Sequence, residues 1–284
     1  MHNVVKSMLD KYRCQSLADY ENALKEIIQE IALLGMWRAK FFEMAAFYGG
    51  TSLRILYGLD RFSEDMDFSL LSPDPSFDIA VYEASLSREL EAFGFEVSVE
   101  KKVKSMNSPI ESAFIKANTL VHLLKIVTPV KSHKSRLLKI KIKIEVDTNP
   151  PTGAVTEAVS LFQPIPFAVK TFDLPSLFAG KLAAALYRPY KFNTKGRDWY
   201  DFLWYISKGT VLNLKHFEAR ISQIGKWSPS KPVTIADVKR LMRERVEDLN
   251  LEQAKNDVLP FVKDQYAVEQ WNKKLLLAAV ERIQ

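Results

Sequence analysis

The chain has 284 residues, 47% of them hydrophobic and 26% charged, with only 10 glycines and 13 prolines; this is enough to bury one large or two modest cores and excludes a disordered or fibrous chain. One cysteine, Cys14, and four scattered histidines, His2, His122, His133 and His216, exclude a disulfide framework and a cysteine-based zinc site. Forty basic against thirty-four acidic residues leave a net charge of +6, which favours a polyanionic partner; no apolar run approaches the roughly 20 residues that span a bilayer and no secretory leader pattern opens the sequence, so a cytoplasmic protein without membrane contact is expected.

Residues 16–47 have helical periodicity and open on Ser16-x-x-Asp19, the pattern of a capping box. Gly49-Gly50-Thr51 then opens a short helix, and the apolar positions Met66, Phe68, Leu70 and Leu71 around Asp65 and Asp67 read as a strand. Pro73, Pro75 and Ser76 form a loop, and residues 77–93 carry helix-spaced apolar positions that stop at Gly94. Segments 95–104, 112–127, 137–147 and 154–169 are rich in Val, Ile, Phe and Thr and read as strands. From Leu174 onward the pattern is helical almost to the end. The predicted class is α+β, a mixed β-sheet core with flanking helices in residues 1–170 followed by an all-helical region in 171–284.

Chemistry concentrates in GGTSLRILYGLDRFSEDMDFSLL, residues 49–71. Gly49, Gly50 and Thr51 offer backbone without Cβ bulk and the unpaired N–H groups of a helix start, which suit a phosphate chain. Strand side chains alternate, so Asp65 and Asp67 share a face. Two adjacent carboxylates repel unless a cation lies between them, and Mg²⁺ or Mn²⁺ takes such oxygen ligands together with substrate phosphates. A lone D-x-D also occurs on solvated strand edges; here it stands in one unit with the glycines and Thr51. Ser63, two residues before Asp65, shares the face if the strand begins there, and otherwise caps a turn.

The strand 139–147 alternates Ile140, Ile142, Ile144 and Val146 with Lys139, Lys141, Lys143, Glu145 and Asp147. Between Ser112 and Ile144 there are eight basic residues and no acid, namely Lys116, Lys125, Lys131, Lys134, Arg136, Lys139, Lys141 and Lys143. Such a cluster either tracks nucleic-acid phosphates, with Lys139, Lys141 and Lys143 as RNA contacts, or is a solvated hairpin. Farther on, Lys181 and Arg188 lie two helical turns apart, and Asp198 and Asp201 share a face at i, i+3; salt bridges alone account for this pattern as readily as a ligand site does.

Gly49-Gly50-Thr51-x-Leu53-Arg54, Arg61-Phe62-Ser63-Glu64-Asp65-x-Asp67-Phe68, the helix from Lys181 to Arg188 and Arg197-Asp198-x-x-Asp201 together resemble the AbiEii/AbiGii toxins, a branch of the DNA polymerase β-type nucleotidyltransferases. The resemblance covers residues 45–205. It implies a nucleotidyltransferase catalytic domain in 1–170, completed by the helical domain in 171–284, and transfer of a nucleoside monophosphate from an NTP to an acceptor hydroxyl. It also implies Asp65 and Asp67 as metal ligands and a third carboxylate from a neighbouring strand, for which Glu145 and Asp147 both remain open. Gly49, Gly50, Thr51, Arg54, Lys181 and Arg188 would bind the nucleotide, Lys181 would hold the triphosphate, and Asp198 or Asp201 would orient Lys181, the base or the sugar; Ser63, where it shares the aspartates' face, would serve the catalytic centre by donating to a metal-bound carboxylate or a phosphate oxygen. The family consists of toxins of toxin–antitoxin and phage abortive-infection systems, so a cognate antitoxin is an expected partner, and the basic excess favours RNA, especially the tRNA 3′ end, as acceptor. Two alternatives stay open: a transferase that nucleotidylates or phosphorylates protein hydroxyls, and a non-catalytic RNA- or antitoxin-binding module.

Overall fold

The first long helix, α2 (Leu17–Arg38), follows α1 (Asn3–Asp10) and starts on a reciprocal capping box: Ser16 Oγ accepts from the Asp19 amide at 3.1 Å and the Asp19 carboxylate accepts from the Ser16 amide at 2.9 Å. The structure, a computed structural model, describes residues 2–101, 119–131, 137–188, 194–228 and 230–284, and of 98–101, 119–131 and 137–139 the backbone alone.

Among the described residues, seven strands form one mixed sheet: β1 (Ala45–Tyr48), β2 (Met66–Leu70), β3 (Glu96–Lys101), β4 (Thr119–Lys131), β5 (Leu137–Asp147), β6 (Thr156–Leu161) and β7 (Phe167–Phe172). Their order is β3-β4-β5-β2-β1-β7-β6, with β2/β5 and β1/β7 parallel and the remaining pairs antiparallel. Alternation sorts the side chains between the two faces. Phe47, Met66, Phe68, Ile140, Ile142, Ile144 and Val146 join one core with α2 and α4 (Glu83–Ala92). There the Phe47 and Phe68 rings stack at 5.0 Å. Full burial of an isoleucine such as Ile142 or Ile144 contributes about 2 kcal/mol. The other face of the same two strands presents Asp67, Lys141, Lys143, Glu145 and Asp147, so burying the isoleucines is what aims the acids.

A second core is built by α5 (Leu174–Tyr187), α6 (Gly196–Ser207), α7 (Leu214–Gln223), α8 (Ile235–Glu247), α9 (Leu251–Val258), α10 (Tyr266–Glu269) and α11 (Lys273–Val280). It also takes Leu53 of α3 (Gly49–Tyr57), Ala46 of β1 and Phe172 of β7. Helix α3 is thus wedged between the acid-bearing face of the sheet and the helices. No helix among the described residues is long and apolar enough to cross a membrane.

Three sequence expectations need correction. The helix predicted over 16–47 ends at Arg38; Lys40 turns into the left-handed region at φ 61°, a 3₁₀ turn covers Phe41–Glu43, and Ala45–Tyr48 is a strand. Ala-Ala-Phe-Tyr is no strong strand former, and its conformation is imposed by pairing with both β2 and β7. The strand predicted over 154–169 is a hairpin, β6 and β7, broken by a turn that contains Pro164 and Pro166, which have no N–H for the ladder. Ser63 and Asp65 precede β2 rather than lying in it, because the segment is held otherwise: the Gln29 amide donates to the carbonyls of Ser63 (3.2 Å) and Glu64 (2.9 Å), and the Phe62 amide donates to the Phe261 carbonyl (2.8 Å).

Candidate active site

Asp67, in β2, is directly opposite Glu145 in the parallel neighbour β5, and Asp147 is opposite Ser69, two residues along each strand. The geometry therefore sets Glu145, rather than Asp147, beside Asp67. Asp147 instead accepts from the Asn149 amide at 3.0 Å and lies in the field of Arg220. Asp65, just before the strand, has its carbonyl bonded by the Thr51 hydroxyl. Thr51 is fully buried, so its observed part is to pin the aspartate loop to α3.

Burial, then Glu145 and Asp65, push Asp67 up to about 7, against the pull of Lys181 and Lys143. Asp65 keeps an exposed face, yet the surrounding protein raises it too, with Lys143 opposing and Glu145 and Glu64 adding to the rise. Crowded oxygens of this kind fit a divalent cation, which relieves the repulsion that protonation otherwise relieves. No three ligating side chains among the described residues already stand as a cage. Mg²⁺ does not need one, since it usually takes one or two carboxylates and completes its shell with water and substrate phosphates.

Glycine is required beside the acids. Gly49 opens α3 at φ 84°, and a Cβ there would collide with Asp67 Oδ2 and lie 3.1 Å from Asp67 Cβ. At Gly50 a Cβ would lie 2.7 Å from Arg61 Nη2 and 3.1 Å from Ser63 Oγ. No side chain caps the first turn of α3, which leaves its leading N–H groups beside the carboxylates, an arrangement suited to an anion.

Behind Gly50 runs a buried ion network. Arg61 grips Asp201 with Nε and Nη2, both at 2.6 Å, and the two side chains are 3% and 0% exposed. Lys181 of α5 reaches Asp201 at 2.9 Å and Asp198 at 3.0 Å, and Arg188, the C-cap of α5, reaches Asp198 at 2.8 Å. Burial opposes the Lys181 ammonium, but Asp201 and Asp198 outweigh it and raise its pKa. Burial likewise opposes the Asp198 carboxylate, and Arg188 and Lys181 overcome it, holding Asp198 at about 2. Three cations on two anions leave the cluster one positive charge in excess, and Lys181 acts on Asp67 electrostatically.

The structure thus gathers Gly49, Gly50, Ser63, Asp65, Asp67, Glu145, Lys181, Asp198 and Asp201 around the start of α3. Arg54 is occupied elsewhere: its guanidinium donates to Glu26 (2.7 Å) and to the carbonyls of Leu59 (2.9 Å) and Asp60 (3.1 Å). In the basic strand, Lys141 is exposed, while Lys143 turns to Glu145 with Nζ 2.6 Å from Oε1. Lys116, Lys134 and Arg136, and the side chains of Lys125, Lys131 and Lys139, lie outside the described residues. Sequence reasoning missed Arg61 and Gln29 as supports of the site. Arg61 lay inside the motif, but its partner Asp201 is 140 residues away; nothing in the local pattern marked Gln29.

A model of the family described as nucleotidyl transferase AbiEii toxin, type IV TA system, matches residues 31–275. Two solved structures are similar at 15% identity: a candidate nucleotidyltransferase from H. pylori, with 89% of this chain and 88% of that chain covered and a TM-score of 0.47, and JHP933 from Helicobacter pylori, with 91% and 88% covered and a TM-score of 0.49. No curated protein matches the sequence.

Proposed function

This chain belongs to the AbiEii family of nucleotidyl transferase toxins of type IV toxin–antitoxin systems, and from its site we propose that it transfers a nucleoside monophosphate from an NTP to the 3′-terminal hydroxyl of an RNA, in the first place tRNA, the bond between the α- and β-phosphates breaking to release pyrophosphate. The observation that carries this reading is the facing pair Asp67 and Glu145, set beside the glycine-opened start of α3.

In this reading Asp65, Asp67 and Glu145 hold the divalent ion, with Mg²⁺ preferred for its oxygen ligands. When bound, the ion neutralises charge on the triphosphate and on the attacking oxygen. Gly49 and Gly50 let the triphosphate approach the backbone, and the leading N–H groups of α3 donate to it. Ser63 Oγ, close over Gly50, offers a further donor to a phosphate oxygen. Lys181, held by Asp198 and Asp201, supplies a fixed positive charge, which lowers the cost of charge developing on the phosphates because little reorganisation is needed. Glu145, or an ionised Asp67, receives the proton of the acceptor hydroxyl. RNA is favoured as acceptor by the net charge of +6 and by the acid-free basic stretch from 112 to 144. The antitoxin of the pair would oppose this activity.

Mass spectrometry of total tRNA incubated with the protein and each of the four NTPs tests the reading. It predicts a mass gain of one or more nucleotide residues at the 3′ end. Unchanged tRNA mass, with the nucleotide mass found instead on protein in the same incubation, would move the acceptor to protein hydroxyls.

A further inference from the structure

Lys143 lies within the carboxylate cluster. Alternation along β5 puts it on the same face as Glu145, two residues on, and Glu145 is paired across to Asp67. Its ammonium is 2.6 Å from Glu145 Oε1, and its charge acts on both Asp65 and Asp67. It is the one cation of the basic strand whose described contact is with these acids. Its side chain is 30% exposed, against 16% for Glu145, so the stem has room to swing out while the carboxylate stays.

We propose that Lys143 is a built-in counter-cation that holds Glu145 until a divalent ion arrives and competes with that ion for the same carboxylate oxygens. This rests on the reading of Asp65, Asp67 and Glu145 as the metal ligands. Three like charges, Asp67 and Glu145 on facing strands and Asp65 just before β2, destabilise the ion-free fold unless something offsets them. A lysine on a flexible four-carbon stem does so with a compact point charge that leaves readily. An ion that takes an oxygen of Glu145 must first displace the ammonium, and this lowers the affinity for the ion alone. Substrate phosphates then supply ligands that the protein withholds, so the site loads its ion in company with nucleotide rather than before it. The device also accounts for a half-buried lysine beside the acids, where a phosphate-tracking residue would stay exposed, as Lys141 does on the same face.

The test is Mn²⁺ binding without nucleotide, read from the electron paramagnetic resonance signal of the free ion, for the wild type, Lys143→Met, Lys143→Gln, Lys143→Arg and Asp67→Asn. Circular dichroism selects the folded variants, and Lys143→Gln, which keeps a polar side chain beside Glu145 without the charge, carries the test if Lys143→Met does not fold. The neutral variants are expected to bind Mn²⁺ about tenfold more tightly than the wild type, in keeping with removal of one nearby positive charge, whereas Lys143→Arg stays near the wild type. Equal or weaker binding by the neutral variants would overturn the role of Lys143 while leaving the metal ligands in place. Unchanged binding in Asp67→Asn would instead overturn the metal ligands and this inference with them.

Discussion

Asp67 and Glu145 face each other across the parallel pair β2 and β5, and with no ion present the arrangement costs stability: burial, Glu145 and Asp65 lift Asp67 to about 7. A carboxyl raised in the fold is stabilising while protonated, and that contribution is lost as pH rises through its folded pKa. At pH 8, without metal, Asp67→Asn is therefore expected to melt at or above the wild-type temperature while losing nucleotidyl transfer. A clearly lower melting temperature would mean that the ionised aspartate is satisfied by its neighbours and that the crowding argument is wrong.

Gly49 stands against the same aspartate. A methyl group at this position collides with Asp67 Oδ2, and the backbone is at φ 84°, where an L side chain is strained. Gly49→Ala should abolish transfer and Mn²⁺ binding although every charged residue remains, with a loss of stability of about 1 kcal/mol or more from the backbone alone. Wild-type kinetics in that variant would place the phosphate path elsewhere.

The network of Arg61, Asp201, Lys181, Asp198 and Arg188 joins stability and activity. Removing one member of a buried ion pair strands its partner and costs about 3–5 kcal/mol. Arg61→Leu should lose stability on that scale in denaturant melts, because Asp201 is 0% exposed. Lys181→Met should lose stability and, at temperatures where it is folded, lower kcat/KM by about a hundredfold or more. A folded Lys181→Met protein with unchanged kcat/KM would make the lysine purely structural.

What the sequence disclosed follows the range of the forces involved. Alternation along 139–147 and the capping box at Ser16 are local, and the structure has both where periodicity put them. The glycines and aspartates of 49–67 were legible for the same reason, since one short strand–helix–strand unit brings them together. Strand β1 was read as helix because its conformation comes from pairing with β2, on the far side of α3, and with β7, which is distant in sequence. Glu145 and Asp147 were indistinguishable by alternation, being on one face of one strand; only the register against Asp67 separates them. Arg61 and Lys143 were assigned no role, or a different one, because their partners depend on how β5 and α6 are placed against the aspartate loop.

His216, fully buried on α7, supplies a pH test away from the acids. Arg220 Nε donates to its Nε2 at 3.1 Å, which leaves Nδ1–H to donate to the Thr152 carbonyl at 3.0 Å. Burial and then Arg220 push its pKa down to about 4. The unfolded chain takes up the proton first, near the ordinary value of about 6.5. The stabilisation is therefore complete above that pH and is lost as pH falls towards 4. Between pH 7 and pH 4 the wild type should lose on the order of 2–3 kcal/mol more than His216→Gln in paired denaturant melts. Parallel losses in the two proteins would show that the imidazole is protonated in the fold.

Transfer itself bears most directly on the proposed function. The protein is incubated with Mg²⁺, total tRNA and each NTP labelled at the α-phosphate, with Asp67→Asn as the comparison. The account predicts label joined to the tRNA 3′ end by the wild type, removable by 3′-exonuclease, and none with Asp67→Asn. Absence of α-label on RNA with all four NTPs, or equal label in the variant, would contradict it.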